Sequence, residues 1–320
     1  MSATSPIPQQ LANACKAMGD PLRLAIVQLL GSGSFGVLEL CELFDIKQSS
    51  MSHHLKILAQ AQVLSNQREG NSIFYRRPLL TGNDDWQRWL RSTFVALDQS
   101  PMSDELQQRL QQLLASRADA CAEFFARNAE AFKQQQDLIA SYDQYGATLQ
   151  RLVEDYAGNK RIALEIGPGD GDFLAPLARQ FEQVTALDIS EPMLNRAMQR
   201  VNQLQLTNVN CVLGETALLD GSHNQTVDFV AANMVLHHVP VPQTIFADVA
   251  RLLAPQGCFL VTDLCRHEQS WARESCGDLW LGFEPDDLTA WAEEVGLTEG
   301  QSQFLGLRNG FQIQLRLFYR

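Results

Sequence analysis

Residues 161–171 read RIALEIGPGDG, an apolar run leading directly into Gly167-x-Gly169-x-Gly171 with Glu165 two positions ahead. Glycines at that spacing let a backbone approach a ligand closely or adopt positive φ. A dinucleotide fingerprint would place its third glycine at 172, where Asp172 stands. Further on, His237-His238 follow an apolar run in DFVAANMVLHHV. Either could be a general base, or both could cap or pack. Near the other end, Gln48, Ser49, Ser52 and His53 cluster within a dozen residues. They are short or planar polar groups of the kind that hydrogen-bond base edges. Lys47 and Lys56 flank them as possible phosphate contacts, and Arg68 follows within reach of a minor groove or backbone.

These residues need elements to hold them. Apolar periodicity predicts a helix over 10–30, interrupted at Gly19-Asp20-Pro21, where proline suits the first turn of a second helix. A short helix is expected over 37–44, a turn at 45–48 and a helix over 48–61 with Met51, Leu55, Leu58 and Ala59 on its apolar face. VLSNQREGNSIFYRR alternates on either side of Glu69-Gly70-Asn71, a hairpin signal. Residues 84–97 form another amphipathic helix. Residues 98–150 read as helical, with Leu106, Leu110, Leu113 and Leu114 on one stripe, and so as a packed connector. From 161 onward strands alternate with helices, with strand candidates at 161–166, 184–188, 209–213, 227–232 and 257–263. That alternation argues for a parallel sheet covered by helices. The segments at 300–305 and 311–320 have no helix after them and read as an antiparallel pair.

The chain has 320 residues and a formal net charge of -12. That length suggests two domains at about 150 residues each. Residues 1–95 carry nine Lys/Arg and seven Asp/Glu, a net +2, whereas 96–320 carry sixteen and thirty, a net -14. Only the first part could comfortably approach a polyanion. No stretch of 18 apolar residues predicts a membrane span, and MSATSPIPQQ shows no secretory signal. Seven scattered cysteines without a CxxC pair read as reduced thiols in a cytoplasm.

The first part resembles the ArsR-type family of dimeric winged-helix repressors over about residues 8–97. Ser52-His53-His54-Leu55-Lys56 followed by Leu58 sits where that family has its recognition helix, and Arg68-Glu69-Gly70-Asn71 with Phe74-Tyr75 fits its wing. The resemblance implies that Lys47, Gln48, Ser49, Ser52, His53, Lys56 and Arg68 meet double-stranded DNA. Many relatives sense metals, but their cysteine pair aligns with Gly36 and Leu38, and residues 78–98 hold no His or Cys. No metal is therefore expected.

The second part resembles class I S-adenosylmethionine (SAM)-dependent methyltransferases, with five elements in order over about 105 residues. The glycine turn with Glu165 matches the family's first motif, where the acid faces a cationic amino group. Asp188 ends VTALDIS where the family's acid grips the ribose hydroxyls, two acceptors suited to a diol. Gly214-Glu215-Thr216 stands where relatives bond the adenine edge. The resemblance thus assigns cofactor contacts to Tyr142, Glu165, Gly167, Gly169, Gly171, Asp188, Ile189, Gly214, Glu215, Thr216 and Asn233, and catalytic roles to His237 and His238. Tyr142 and Tyr145 could form a lid or be buried aromatics. Asn233-Met234-Val235-Leu236 is not Asn/Asp-Pro-Pro-Tyr, which disfavours DNA methylation. His267, Trp271, Trp280 and Phe283 are candidate acceptor walls or core.

The expected fold is α/β: a winged helix-turn-helix domain for DNA binding and dimerisation (1–97), a helical connector or lid (98–150), and a Rossmann-like SAM-binding domain (151–320). Its sheet should have seven mostly parallel strands with the last antiparallel. The expected function is a cytoplasmic homodimeric regulator whose affinity for a DNA operator is tuned by SAM or S-adenosylhomocysteine (SAH). The alternative is an active methyltransferase with a small-molecule acceptor and a fused regulatory module. Neither a membrane nor a metal partner is expected.

Overall fold

A computed structural model describes residues 7–69, 72–128, 132–219 and 224–320. The chain divides into two compact units, one ending at Arg117 and the other beginning at Ala118.

The first unit contains α1 (Ile7–Met18), α2 (Pro21–Leu29), β1 (Phe35–Gly36), α3 (Val37–Phe44), α4 (Gln48–Gln60), β2 (Ser65–Glu69), β3 (Ser72–Arg76), α5 (Asp85–Asp98) and the start of α6 (Asp104–Asn128). Asp20 caps α2 by accepting the Arg23 amide at 3.0 Å, with Pro21 in its first turn. Asp84 caps α5 through the Gln87 amide at 2.9 Å. Among the described residues, the sheet order is β1-β3-β2, all antiparallel, with Ser65 opposite Arg76 and Glu69 opposite Ser72. The tip of the expected wing, Gly70-Asn71, lies outside the described residues. Phe35, Met51 and Leu55 are fully buried, and each contributes about 1.5–3 kcal/mol to holding the helices on the sheet.

Among the described residues, the 98–150 stretch is mostly helical, as its periodicity suggests, in α6 and two further helices. The stripe on α6 is not a surface feature: Leu106 and Leu110 are buried in the first unit's core beside Leu90 and Phe94 of α5. Arg117, the last residue of this unit, clamps Glu39 through two hydrogen bonds of 2.8 and 2.6 Å. Glu39 in turn accepts the Gly36 amide at 2.7 Å, which fixes the start of α3.

The second unit continues with the rest of α6, then α7 (Phe132–Ile139), α8 (Tyr142–Glu154), β4 (Ile162–Ile166), α9 (Leu174–Gln180), β5 (Gln183–Asp188), α10 (Glu191–Gln203), β6 (Val209–Leu213), β7 (Val227–Asn233), α11 (Pro242–Leu252), β8 (Leu253–Leu264), α12 (Trp271–Cys276), α13 (Pro285–Glu294), β9 (Thr298–Gly306) and β10 (Gln312–Tyr319). Among the described residues, seven strands lie in the order β6-β5-β4-β7-β8-β10-β9. The pairs from β6 to β8 are parallel, and β10 runs antiparallel to both its neighbours. Consecutive strands progress outward from β4 in one direction and then resume on its other side at β7. In such sheets the crevice at the carboxyl ends beside that reversal is where ligands bind. Pro255-Gln256-Gly257, which reads as a turn before a strand, is instead carried inside β8. There the pairing with β7 shifts register and Gln256 takes φ +66. Between the pairs Val227–Leu253 and Phe229–Cys258, β8 carries three more residues than β7, and this irregularity lets the strand begin four residues earlier than alternation predicts.

Candidate functional site

Helix α4 separates two kinds of residue by the helical period. Met51, Leu55 and Leu58 face the core, while Gln48, Ser49, Ser52, His53 and Lys56 are exposed. Lys47 is the exposed N-cap. Gln48, Ser52 and Lys56 line a groove of about 930 Å³ together with Leu38 of α3 and Asn66 and Tyr75 of the hairpin. Arg68 is exposed on β2, opposite Ile73. The rings of His53 and His54 are 6.0 Å apart at 68° and do not converge on one point.

In the second unit, the glycine turn follows β4 at the carboxyl edge. Gly167, Gly169 and Gly171 have φ of +63, +55 and +75, the region that side chains enter at a cost. A Cβ at Gly167 would stand 2.5 Å from Cγ2 of Val235. The acids of the turn are tied back: Arg196 pairs with Asp170, and Lys133 reaches Asp172 at 3.1 Å. Glu165 is not tied back. It is 1% exposed, and its Oε2 has no hydrogen-bond partner among the described residues. Burial, with the nearby charge of Asp172, pushes its carboxyl well above the ordinary range.

Asp188 ends β5. One oxygen accepts the Ser190 amide at 2.8 Å, yet burial still lifts the carboxyl to about 6 against the pull of the Ser190 and Ile189 amides. Ile189 is 43% exposed and Leu213, opposite Asp188 in the sheet register, 54%. The Gly214 amide donates to the Asp188 carbonyl at 2.9 Å, and Glu215 is exposed beside it. Thr216 is buried, with its hydroxyl committed to Asp248 at 2.7 Å, so its main chain is what remains for a ligand. Asn233 ends β7. Its amide group bonds the Tyr145 hydroxyl, and its Oδ1 has no partner among the described residues. Tyr145 is buried and Tyr142 half-buried, their rings edge to face at 5.6 Å. The sheet thus brings Glu165, Asp188, Gly214 and Asn233 to the ends of four adjacent parallel strands.

His237 and His238 form a short 3-10 turn after β7 and are 1% and 5% exposed. Nδ1 of His237 bonds Oδ1 of Asp263 at 2.7 Å, and Asp263 also accepts the Leu236 and Leu264 amides at 3.0 and 2.7 Å. Burial alone would lower the His237 pKa. Asp263 and Asp278 outweigh it and hold the imidazole up at about 9. Burial and the charge of His237 hold His238 well below the usual range. Of the expected acceptor walls, Trp280 and Phe283 are core, Trp271 is 36% exposed and His267 half-buried. Cys265 and Cys276 are buried, free thiols, pushed up by burial to about 11 and about 12.

A helix-turn-helix domain family matches residues 18–65, and a methyltransferase domain family matches residues 164–261. The transcriptional repressor SdpR of Bacillus subtilis is 44% identical over 63 residues, covering 20% of this chain and 70% of SdpR. This chain is a helix-turn-helix domain fused to a methyltransferase domain. The ubiquinone biosynthesis O-methyltransferase of Coxiella burnetii is 28% identical to the fused chain over 147 residues. The match spans 42% of this chain and 62% of that enzyme. A chain of the complex between the Haloferax volcanii Trm112 methyltransferase activator and a methyltransferase superposes with a TM-score of 0.51 at 14% identity. It covers 61% of the fused chain and 96% of its own length, and it supports the class I methyltransferase fold.

Reading the sequence missed Asp263, Asp278, Lys133 and Arg196 as parts of the methyltransferase domain's site. Asp263 closes the strand candidate 257–263 and carried a visible signal, an acid ending an apolar strand. Asp278 lies 40 positions beyond His238 with no local spacing to mark it.

Proposed function

We propose that the chain is a DNA-binding transcriptional regulator of the ArsR type, acting as a homodimer in the cytoplasm, whose methyltransferase domain binds SAM or SAH and thereby tunes operator affinity. The observation that carries the reading is Glu165. A buried carboxylate oxygen without a partner is costly, and one at the foot of a glycine turn is matched by a ligand bringing a positive charge. The amino-acid end of the cofactor fits Glu165 and the turn from Gly167 to Gly171. Asp188 accepts from the ribose hydroxyls, and exposed Ile189 and Leu213 offer apolar contact to a flat ring near Gly214, Glu215 and the Thr216 main chain. Asn233 and Tyr142 complete the wall. When bound, SAM supplies a methyl group on a cationic sulfur.

On the DNA side, the exposed face of α4 fits a major groove, with Gln48, Ser49, Ser52 and His53 on base edges. Lys47, Lys56 and Arg68 contact the backbone. Val95, 50% exposed on α5, supports that helix as the dimer contact. Coupling is supported by α6, which begins in the unit that reads DNA and ends in the other. A ligand shifts affinity only as far as it binds two states differently, and typical coupling is about 1–3 kcal/mol.

The test is operator affinity without ligand, with SAM and with SAH at fixed salt, on an operator selected from random DNA. A shift of about 5–150-fold is expected. Three equal affinities would remove the regulatory reading and leave the active small-molecule methyltransferase in the lead. Labelled-methyl turnover against a metabolite panel tests that alternative.

A further inference from the structure

The structure points to a divalent transition-metal site built by His237, His238 and Asp278, which we propose as a property of this chain independent of the SAM reading. The donor atoms all lie within 4.8 Å of one another, and the three residues are 1%, 5% and 3% exposed. Nε2 of His237 is 3.8 Å and Nδ1 of His238 3.9 Å from the same oxygen, Oδ1 of Asp278. Nδ1 of His238 also donates to the Gly277 carbonyl at 3.2 Å, so an ion would have to replace that proton and bond. Tetrahedral donors about 2.0–2.2 Å from zinc stand roughly 3.4 Å apart. Closing onto an ion therefore brings the donors together by up to about 1.4 Å from the 4.8 Å span.

Two further observations point to a cation. First, neither carboxylate oxygen of Asp278 has a hydrogen-bond partner among the described residues, although the side chain is buried. A bare buried carboxylate is destabilising unless a charge meets it. The main chain nevertheless holds it in place, since the Leu279 and Trp280 amides both donate to the His237 carbonyl, at 3.0 and 3.1 Å. Second, His237 already has the support that metal-bound histidines need. Asp263, fixed by two backbone amides, occupies Nδ1 and directs Nε2 toward Asp278. A carboxylate behind a histidine in this way orients the ring and strengthens it as a ligand.

The charges also balance. Two neutral imidazoles and two carboxylates, Asp263 and Asp278, leave a deficit of two positive charges, which one dication fills. Two nitrogens and one oxygen suit a borderline ion such as zinc rather than magnesium or calcium, which prefer oxygen. Three protein ligands leave a fourth position for water or an oxygen of a methyl acceptor. The competing arrangement has a proton on His237 as the sole cation between the two acids.

The experiment uses the untagged full-length chain, stripped with a chelator and titrated with cobalt(II). One equivalent should bind, with the visible d–d absorption of a tetrahedral N/O site, and zinc should displace it. Asp278→Asn and His238→Gln should each lose the bands. Asp263→Asn should bind about 10–100-fold more weakly. Replacing the exposed His53 and half-buried His54 together should leave the spectrum unchanged. Absence of the bands in folded wild-type protein overturns the proposal, as does a wild-type spectrum in Asp278→Asn or loss of the bands on replacing His53 and His54. The wild-type spectrum reads the ligand set directly, so a variant that fails to fold does not blunt the test.

Discussion

Replacing Glu165 with Gln should have opposite effects on stability and on binding. In the ligand-free protein this carboxylate is buried, lacks a partner at Oε2, and has a pKa well above its ordinary value because of that burial. A carboxyl raised in the folded state relative to the unfolded chain weighs against folding whenever the pH favours the charged form. The penalty appears as pH rises out of the ordinary carboxylate range and stops growing above the group's own folded pKa. Glu165→Gln removes it, so the ligand-free variant should gain stability over wild type with rising pH, by an amount on the order of 1–3 kcal/mol for an unsatisfied buried group. Urea unfolding at a series of pH values reads this directly. Binding should go the other way. A hydrogen bond to a charged partner is worth about 1.5–3 kcal/mol, so SAH affinity should fall about 10–150-fold. In wild type the arriving ammonium favours the ionised acid. Binding below the folded pKa should therefore release a proton, visible as a dependence of the calorimetric heat on buffer ionisation, and the variant should show none. A variant that is less stable, binds SAH as wild type does and keeps the proton release would refute the assignment, because Glu165 would then serve the protein and not the ligand.

Asp188→Asn should weaken SAH by about 1–3 kcal/mol. Because burial lifts Asp188 to about 6, wild-type affinity should also drop more than the variant's as pH falls through that value, the variant keeping only the Glu165 dependence, and parallel pH profiles by calorimetry would contradict the ribose contact. Gly167→Ala must accept a left-handed φ, about 1–2 kcal/mol, and a Cβ 2.5 Å from Val235. Gly296→Ala meets φ +78 with nothing within 4 Å, so equal thermal destabilisation of the two would show that the turn is not closely packed. Arg117→Ala breaks a two-bond pair whose side chains are only 11% and 24% exposed and should cost about 1–3 kcal/mol. Combining it with Glu39→Gln should cost less than the sum, and strict additivity in urea unfolding would deny the pairing. Gln48→Ala should erode discrimination at one base pair by about 1–3 kcal/mol. Lys56→Ala should weaken all sequences alike and lower the salt slope by about one, and a sequence-selective Lys56 effect in binding titrations would reverse these roles.

Features held in short, local patterns were legible before the structure. The glycine turn with its acid, the polar face of α4 and the strand–helix alternation each follow from residues a few positions apart. Features made by pairing distant segments were not. β1 has two residues, Phe35 and Gly36, and becomes a strand only because Tyr75 and Phe74 lie opposite, so no periodicity could reveal it. The partners of His237 come from two separate segments, and Asp278 is placed by backbone bonds to the His237 carbonyl. The boundary between the units left no compositional mark because it falls within α6, whose stripe at Leu106 and Leu110 belongs to the first core while Cys121 is buried in the second unit. The sequence also gave no sign that Thr216 turns its hydroxyl to Asp248, because the competing partner lies on another helix.

The exposed face of α4 is built mostly from uncharged groups, with Lys47 and Lys56 at its margins. Non-specific attraction to DNA scales with the number of phosphates neutralised and fades with salt, so a surface of this kind is held loosely by arbitrary sequence. In a genome, random sites compete with the operator by sheer number. A reader that relies on directed hydrogen bonds more than on charge loses fewer of its copies to that competition, and it searches by dissociating and rebinding rather than by long slides. Few molecules per cell then suffice to occupy one site, and occupancy depends little on how much other DNA is present.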